Sequence, residues 1–166
     1  MSIEQFVAVV GRRRDLVRFV DSKSWCTLAA HMSDRDLAST FAAADAFVLA
    51  TRTRFGRYAS GEGFGMVLLE AQVAGTAVIA PAYGGSGDAY IDGVTGVAPA
   101  NETAEALGGL LDDRARLTWM GRRASEWARE SFAPERYAQL VVEKLLVQYG
   151  VEWQIWFAKD FLSYRV

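Results

Sequence analysis

Two carboxylates stand eight positions apart at either end of Glu62-Gly-Phe-Gly-Met-Val-Leu-Leu-Glu70. Between them, Gly63 and Gly65 flank Phe64 and let the backbone come close to a ligand. A helix then begins, and its first amides have no intrahelical partner. Those of Gly65, Met66 and Val67 face outward as an anion site, reinforced by the helix dipole. A phosphate is the natural occupant. The helix is apolar almost all round (Met66, Val67, Leu68, Leu69, Ala71, Val73, Ala74), which predicts that it is buried. Glu70 lies inside that run, where a carboxylate needs a partner. Helical side chains lean toward the N-terminus, so Glu70 leans toward the phosphate end. There a diol, such as a ribose or a sugar, can donate two hydrogen bonds to it. Glu62 lies just before the helix on the same side. An arginine (Arg52, Arg54 or Arg57) is the alternative partner for Glu70. The pair of carboxylates around a phosphate-ready helix start favours a nucleotide-sugar site.

The flanking segments read as an α/β chain. Residues 5–10 form a buried strand ending at Gly11, and residues 25–30 a second strand, while 12–24 are charged, irregular and assigned to no element. Ser33 is an N-cap, with Asp34 and Asp36 in the first turn and Leu37, Phe41 and Ala44 at helical spacing. Residues 46–50 are a strand and 51–61 a loop. The helix over 66–74 is stopped by Gly75. Short strands follow at 77–80 and toward Pro99, with a glycine-dense turn, Tyr83 to Asp88, between them. Apolar strands without period-two patterning, alternating with helices, indicate a parallel sheet covered on both faces. Three helical segments close the chain. Asn101 caps the first, with Ala104, Leu107, Leu110 and Leu111 on one face. Leu117, Met120, Ala124, Trp127 and Ala128 mark the second. Pro134 opens the third, with Tyr137, Leu140, Val141 and Leu145 inward.

Composition narrows the function. The chain has 166 residues, 51% of them hydrophobic, which supports one packed domain. Its net charge of −2 leaves no basic excess that would point to nucleic acid. Single Cys26 and His31 exclude a disulfide framework and histidine-based zinc sites. Cys26 reads as a core residue and His31 as a polar residue at a strand end. No stretch has the roughly 20 apolar residues of a membrane span, and no signal peptide is evident, so the expected location is the cytoplasm.

From about Ser33 to Tyr149 the sequence resembles the C-terminal half of group 1 (family 4-like) glycosyltransferases, which have the two-domain Rossmann-like architecture called GT-B. The resemblance rests on Ser33-Asp-Arg-Asp-Leu37, Ala43-Ala-Asp-Ala-Phe-Val-Leu49 and Glu62-x7-Glu70. It continues through Glu70-Ala-Gln-Val-Ala-Gly-Thr76, Gly84-Gly85, Asp92-Gly-Val-Thr-Gly96, Met120-Gly121, Phe132 and Glu135. It implies a Rossmann-like parallel sheet flanked by helices, the C-terminal half of a GT-B fold, truncated on its N-terminal side. By the same resemblance Glu62 contacts the donor sugar and Glu70 the ribose. Gly63, Phe64, Gly65, Met66 and Val67 supply amides to the sugar and diphosphate. The implied reaction transfers a sugar from a nucleotide diphosphate to an acceptor hydroxyl with retention, with no metal and no cofactor. In Val9-Val10-Gly11-Arg12 the family's strand and Gly-Arg are visible, which makes Arg12 a diphosphate contact or else a solvated charge in the run Arg12–Arg14.

Three segments follow: 1–32, an N-terminal segment or remnant of a first β-α unit; 33–150, the donor-binding domain; and 151–166, an aromatic helix. The family's acceptor-binding domain does not fit in this length, so activity is expected only with an acceptor half, supplied by a separate polypeptide or by a longer protein of which this chain is a fragment. Departures such as Ala50 and Ala77 at family prolines keep a second reading open, a degenerate, non-catalytic nucleotide-sugar-binding or interaction module. In the tail, Trp153, Trp156, Phe157, Phe161 and Tyr164 share one helical stripe, which predicts docking on a partner half or self-association.

Overall fold

The structure is a computed structural model that describes residues 6–8, 14–29, 32–51, 61–100, 102–141 and 143–144. Arg12, His31, Arg52, Arg54, Arg57, Asn101, Leu145 and the aromatic tail from Trp153 to Tyr164 lie outside the described residues. The chain divides into two compact units, Met1–Ala44 and Asp45–Val166.

The first unit is β1 (Phe6–Ala8), α1 (Arg14–Asp21), β2 (Cys26–Leu28) and α2 (Asp34–Ala43). β1 and β2 pair in parallel, Phe6 with Cys26 and Ala8 with Leu28, so α1 is a crossover helix. The sequence reading assigns no element to 12–24. The helix forms because Leu16, Val17 and Val20 recur at helical spacing among the charges, and Val20 is buried. Its end is closed by Ser22, whose Oγ donates to the Phe19 carbonyl at 2.7 Å. α2 starts as expected, with Ser33 Oγ accepting from the Asp36 amide at 3.2 Å.

The second unit carries β3 (Ala46–Val48), α3 (Met66–Val73), β4 (Ala77–Ile79), a 3-10 turn (Gly85–Asp88) and β5 (Gly96–Val97). Helices α4 (Thr103–Asp112), α5 (Arg114–Ser131) and α6 (Pro134–Val141) follow. All three strands are parallel, in the order β3-β4-β5, with Ala46 opposite Ala77 and Val78 opposite Gly96. The central strand is wholly buried, and Ala77 and Ile79 pack with Leu110, Leu117 and Met120 into the core beneath α4 and α5.

Local rules explain the boundaries. α3 ends in a Schellman motif. Gly75, at φ +91°, donates to the Gln72 carbonyl at 2.9 Å, and the Thr76 amide donates to Ala71 at 3.0 Å. Asp113 ends α4 and caps α5, accepting from the Arg116 amide at 2.9 Å. Asp45 ion-pairs with Arg114, both half-exposed, so the pair adds little stability.

Two helical expectations are corrected. α4 begins at Thr103 with Glu102 at its N-cap, one position beyond the expected Asn101. Ala104 is exposed, and Ala106 packs on the core in its place. α6 buries none of its residues, and Tyr137, expected inward, is 70% exposed. Leu140 and Val141 are half-buried, so the expected face is covered in part and Tyr137 lies outside that cover. No helix among the described residues is long and apolar enough to cross a membrane.

Candidate functional site

The site grows from the start of α3. Gly65 is its N-cap at φ +84°, a conformation that side chains rarely adopt. A Cβ there would stand 2.9 Å from Leu68 Cδ1 and 3.5 Å from Glu62 Cγ. The Glu62 stem therefore folds back over the helix start. The Gly65 carbonyl accepts from the Leu68 amide at 2.8 Å, and no side chain caps α3. The amides of Met66 and Val67, at the first two helical positions, are thus left for an external acceptor.

α3 buries Leu68, Leu69, Ala71 and Gln72. Met66, Glu70 and Val73, at i, i+4 and i+7, form the opposite face, and all three are exposed. This corrects the expectation that the apolar composition buries the whole helix with Glu70 inside it. The helix meets the sheet and α5 with one side only. A solvated carboxylate needs no arginine partner, and Glu70 stands on the same face as the uncapped helix start.

A second glycine-rich segment meets the first. Gly84, at φ +75°, leads into the 3-10 turn after β4. Gly85 lies against the Gly63–Phe64 backbone, where a Cβ would be 1.3 Å from the Gly63 oxygen. Ser86 braces the turn, its Oγ 2.9 Å from the Pro81 carbonyl and 3.1 Å from that of Tyr83. Both segments follow the C-terminal ends of parallel strands, the side on which open α/β sheets bind ligands.

The support beneath was less visible in sequence. Buried Gln72 donates from Nε2 to the Leu68 carbonyl at 3.0 Å and to that of Ala89 at 2.7 Å, tying α3 to the segment after the glycine turn. Its Oε1 is buried without a hydrogen-bond partner. The Tyr90 hydroxyl donates to the Ala80 carbonyl at 2.7 Å. Burial, with the nearby Asp92 charge, pushes its pKa up to about 12. Asp92 and Thr95 accept the Ala98 and Ile91 amides, each at 2.8 Å, so the Asp92–Gly96 motif is structural bracing. From α5, Ser125 and Arg129 donate to the Val73 carbonyl at 3.1 and 2.9 Å and close the far end of α3. The Phe64 ring meets Phe132 at 5.7 Å between centroids, and Phe132 meets Trp127 edge-on at 5.2 Å. A polar Gln within an apolar helix is a signal that could have been read. The ring contacts join residues too far apart in sequence to be.

Parallel strands with crossover helices, and a glycine-started helix between two carboxylates at the strands' C-terminal ends, define a Rossmann-like half of the GT-B type. Residues 7–129 match the family described as glycosyl transferases group 1, and the chain belongs to that family. It is 35% identical over 127 residues to a D-inositol 3-phosphate glycosyltransferase of Kineococcus radiotolerans, covering 69% of this chain and 27% of that protein. It is 35% identical over 101 residues to a GDP-mannose-dependent alpha-(1-6)-phosphatidylinositol monomannoside mannosyltransferase of Mycolicibacterium smegmatis, covering 58% and 26%. The chain thus spans about a quarter of the length of these relatives. Sucrose-phosphate synthase from Thermosynechococcus elongatus shares the fold with TM-score 0.68 at 24% identity, over 88% of this chain and 38% of that one. Anabaena HepE, solved with UDP and glucose, does so with TM-score 0.62 at 21% identity, over 79% and 34%.

Proposed function

We propose that this chain is the donor-binding half of a retaining glycosyltransferase and takes a nucleoside-diphosphate sugar. The carrying observation is the exposed face that Glu70 shares with the uncapped start of α3, with Glu62 folded over Gly65 beside it. In this reading Glu70 accepts hydrogen bonds from the ribose diol. The amides of Met66 and Val67 hold the diphosphate, and Glu62, with the backbone of Gly63, Phe64 and Gly65, holds the sugar. In the reaction the bond from the anomeric carbon to the diphosphate breaks, the acceptor oxygen takes its place on the same face, and the acceptor hydroxyl's proton passes to the departing diphosphate oxygen. Negative charge collects on the departing diphosphate, where helix-start amides aimed in advance stabilise it most.

The acceptor comes from a second domain or polypeptide. Support for this is the family membership together with the quarter-length match to its relatives. Positioning an acceptor against the anomeric carbon is worth about 7–11 kcal/mol, so the chain alone binds donor without appreciable transfer. HepE was solved with UDP, and the mannosyltransferase relatives are named for GDP-mannose, which sets the two donor classes to compare. Calorimetry with UDP-glucose and GDP-mannose tests the reading. Weak binding of one of them supports it, and no heat from either at millimolar concentration removes it. Self-association through the aromatic residues of 151–166 belongs to the same proposal, and light scattering of the full chain reads it directly.

A further inference from the structure

The donor-type loop is held from two sides. On one side the Gly63–Phe64 backbone rests on Gly85. On the other, the Phe64 side chain leaves the helix start and meets Phe132, which follows the last residue of α5. The two rings lie 5.7 Å apart at 56° to each other. Phe132 is in turn fixed by Trp127, one turn back on α5, at 5.2 Å and 75°. The Phe132 amide donates to the Ala128 carbonyl at 3.1 Å, so the ring is carried on ordered backbone.

We infer that Phe132 is a positioning residue for the donor loop: its ring, backed by Trp127, fixes Phe64 and through it the amides that face the diphosphate. The inference rests on the donor-site reading above. Its physical basis is the conformational freedom of Gly63 and Gly65. Two glycines around one residue give the loop many backbone alternatives. Among the described residues, Phe64 is the only side chain between them, so its ring is the handle by which the loop can be held. Edge-to-face and tilted ring pairs favour particular geometries, which an aliphatic side chain of similar size does not impose. Fixing the handle removes ordering cost that the ligand would otherwise meet on binding.

The test compares the full chain with Phe132→Leu, Phe132→Tyr and Leu117→Ala. Leu117 is a buried core residue of the same helix and serves as the control for lost stability. Melting temperature, UDP and GDP affinity by calorimetry, and amide resonances of residues 63–67 are measured for each. Phe132→Leu is expected to weaken nucleotide binding about two- to tenfold, the span of one aromatic pair. It should also broaden or shift the amide signals of 63–67. Phe132→Tyr keeps the ring and should restore both. Leu117→Ala should lower the melting temperature as far or further with affinity unchanged. Equal affinity in Phe132→Leu and the unaltered chain, or equal loss in Phe132→Leu and Leu117→Ala, would overturn the inference. If the unaltered chain binds neither nucleotide, the donor-site reading falls, and the amide signals of 63–67 decide the positioning role by themselves.

Discussion

Gly85 and Gly63 touch backbone to backbone: a Cβ on Gly85 would stand 1.3 Å from the Gly63 carbonyl oxygen and 2.9 Å from Phe64 Cα. The glycine turn after β4 and the loop before α3 are thus one packed unit. Gly85→Ala is expected to push the loop away. Overpacking of this kind costs about 1–3 kcal/mol, and the displaced amides should lose nucleotide affinity as well. Urea unfolding and UDP titration of the same variant check both effects, and an unchanged stability would show that the two segments are not in contact.

The glycines of α4 should behave in the opposite way. Gly108 and Gly109 lie inside a helix, and a Cβ on either meets nothing within 4 Å. Alanine at either position should stabilise the fold by about 0.5–1 kcal/mol by restricting the unfolded chain and improving helix propensity. Gly121, on α5, is the contrasting case, because its Cβ would stand 2.3 Å from the Gly75 oxygen and pry α5 from the end of α3. Denaturant midpoints of the three alanine variants should therefore separate by sign.

Tyr90 makes stability depend on pH at the alkaline end. Its pKa is raised from 10.0 to about 12 in the folded chain, by burial and by the charge of Asp92. The hydroxyl is neutral in both states below pH 10, so its contribution is complete there. Between pH 10 and 12 the unfolded chain ionises first, and on the order of 2 kcal/mol of stability is lost. Tyr90→Phe should be less stable at pH 8, having lost the bond to Ala80, but should show a smaller decline across that window. Parallel declines in the two proteins would remove Tyr90 as the cause.

Sequence carried much of this fold where local rules decide. Ser33, Gly75 and Pro134 each set a helix boundary where their chemistry places it, and the short apolar runs at 46–50 and 77–80 became parallel strands. α1 is hidden although its four apolar and four charged residues lie at helical spacing, because its eight residues are fewer than the roughly 11–18 over which a helical period stands out. Glu70 is misread for a different reason. Composition says that a helix is apolar, but only its neighbours say which side they cover, and α3 is covered on the side of Leu68 and Gln72. The ring contact of Phe64 with Phe132 and the backbone contact of Gly63 with Gly85 are products of tertiary packing, with no trace in spacing.

In the proposed donor site Glu70 receives the ribose of a nucleoside diphosphate. The direct measurement is a binding cycle with the full chain and Glu70→Gln, each titrated with UDP and GDP and with their 2′,3′-dideoxy forms. A carboxylate accepting from a diol contributes on the scale of a charge-assisted hydrogen bond, about 1–3 kcal/mol. Glu70→Gln is expected to weaken the ribonucleotide that binds by about tenfold and to leave its dideoxy form unchanged, while the dideoxy form already binds the unaltered chain about as weakly as the ribonucleotide binds the variant. Equal losses for both forms, or ribonucleotide affinity indifferent to the substitution, would contradict the ribose contact.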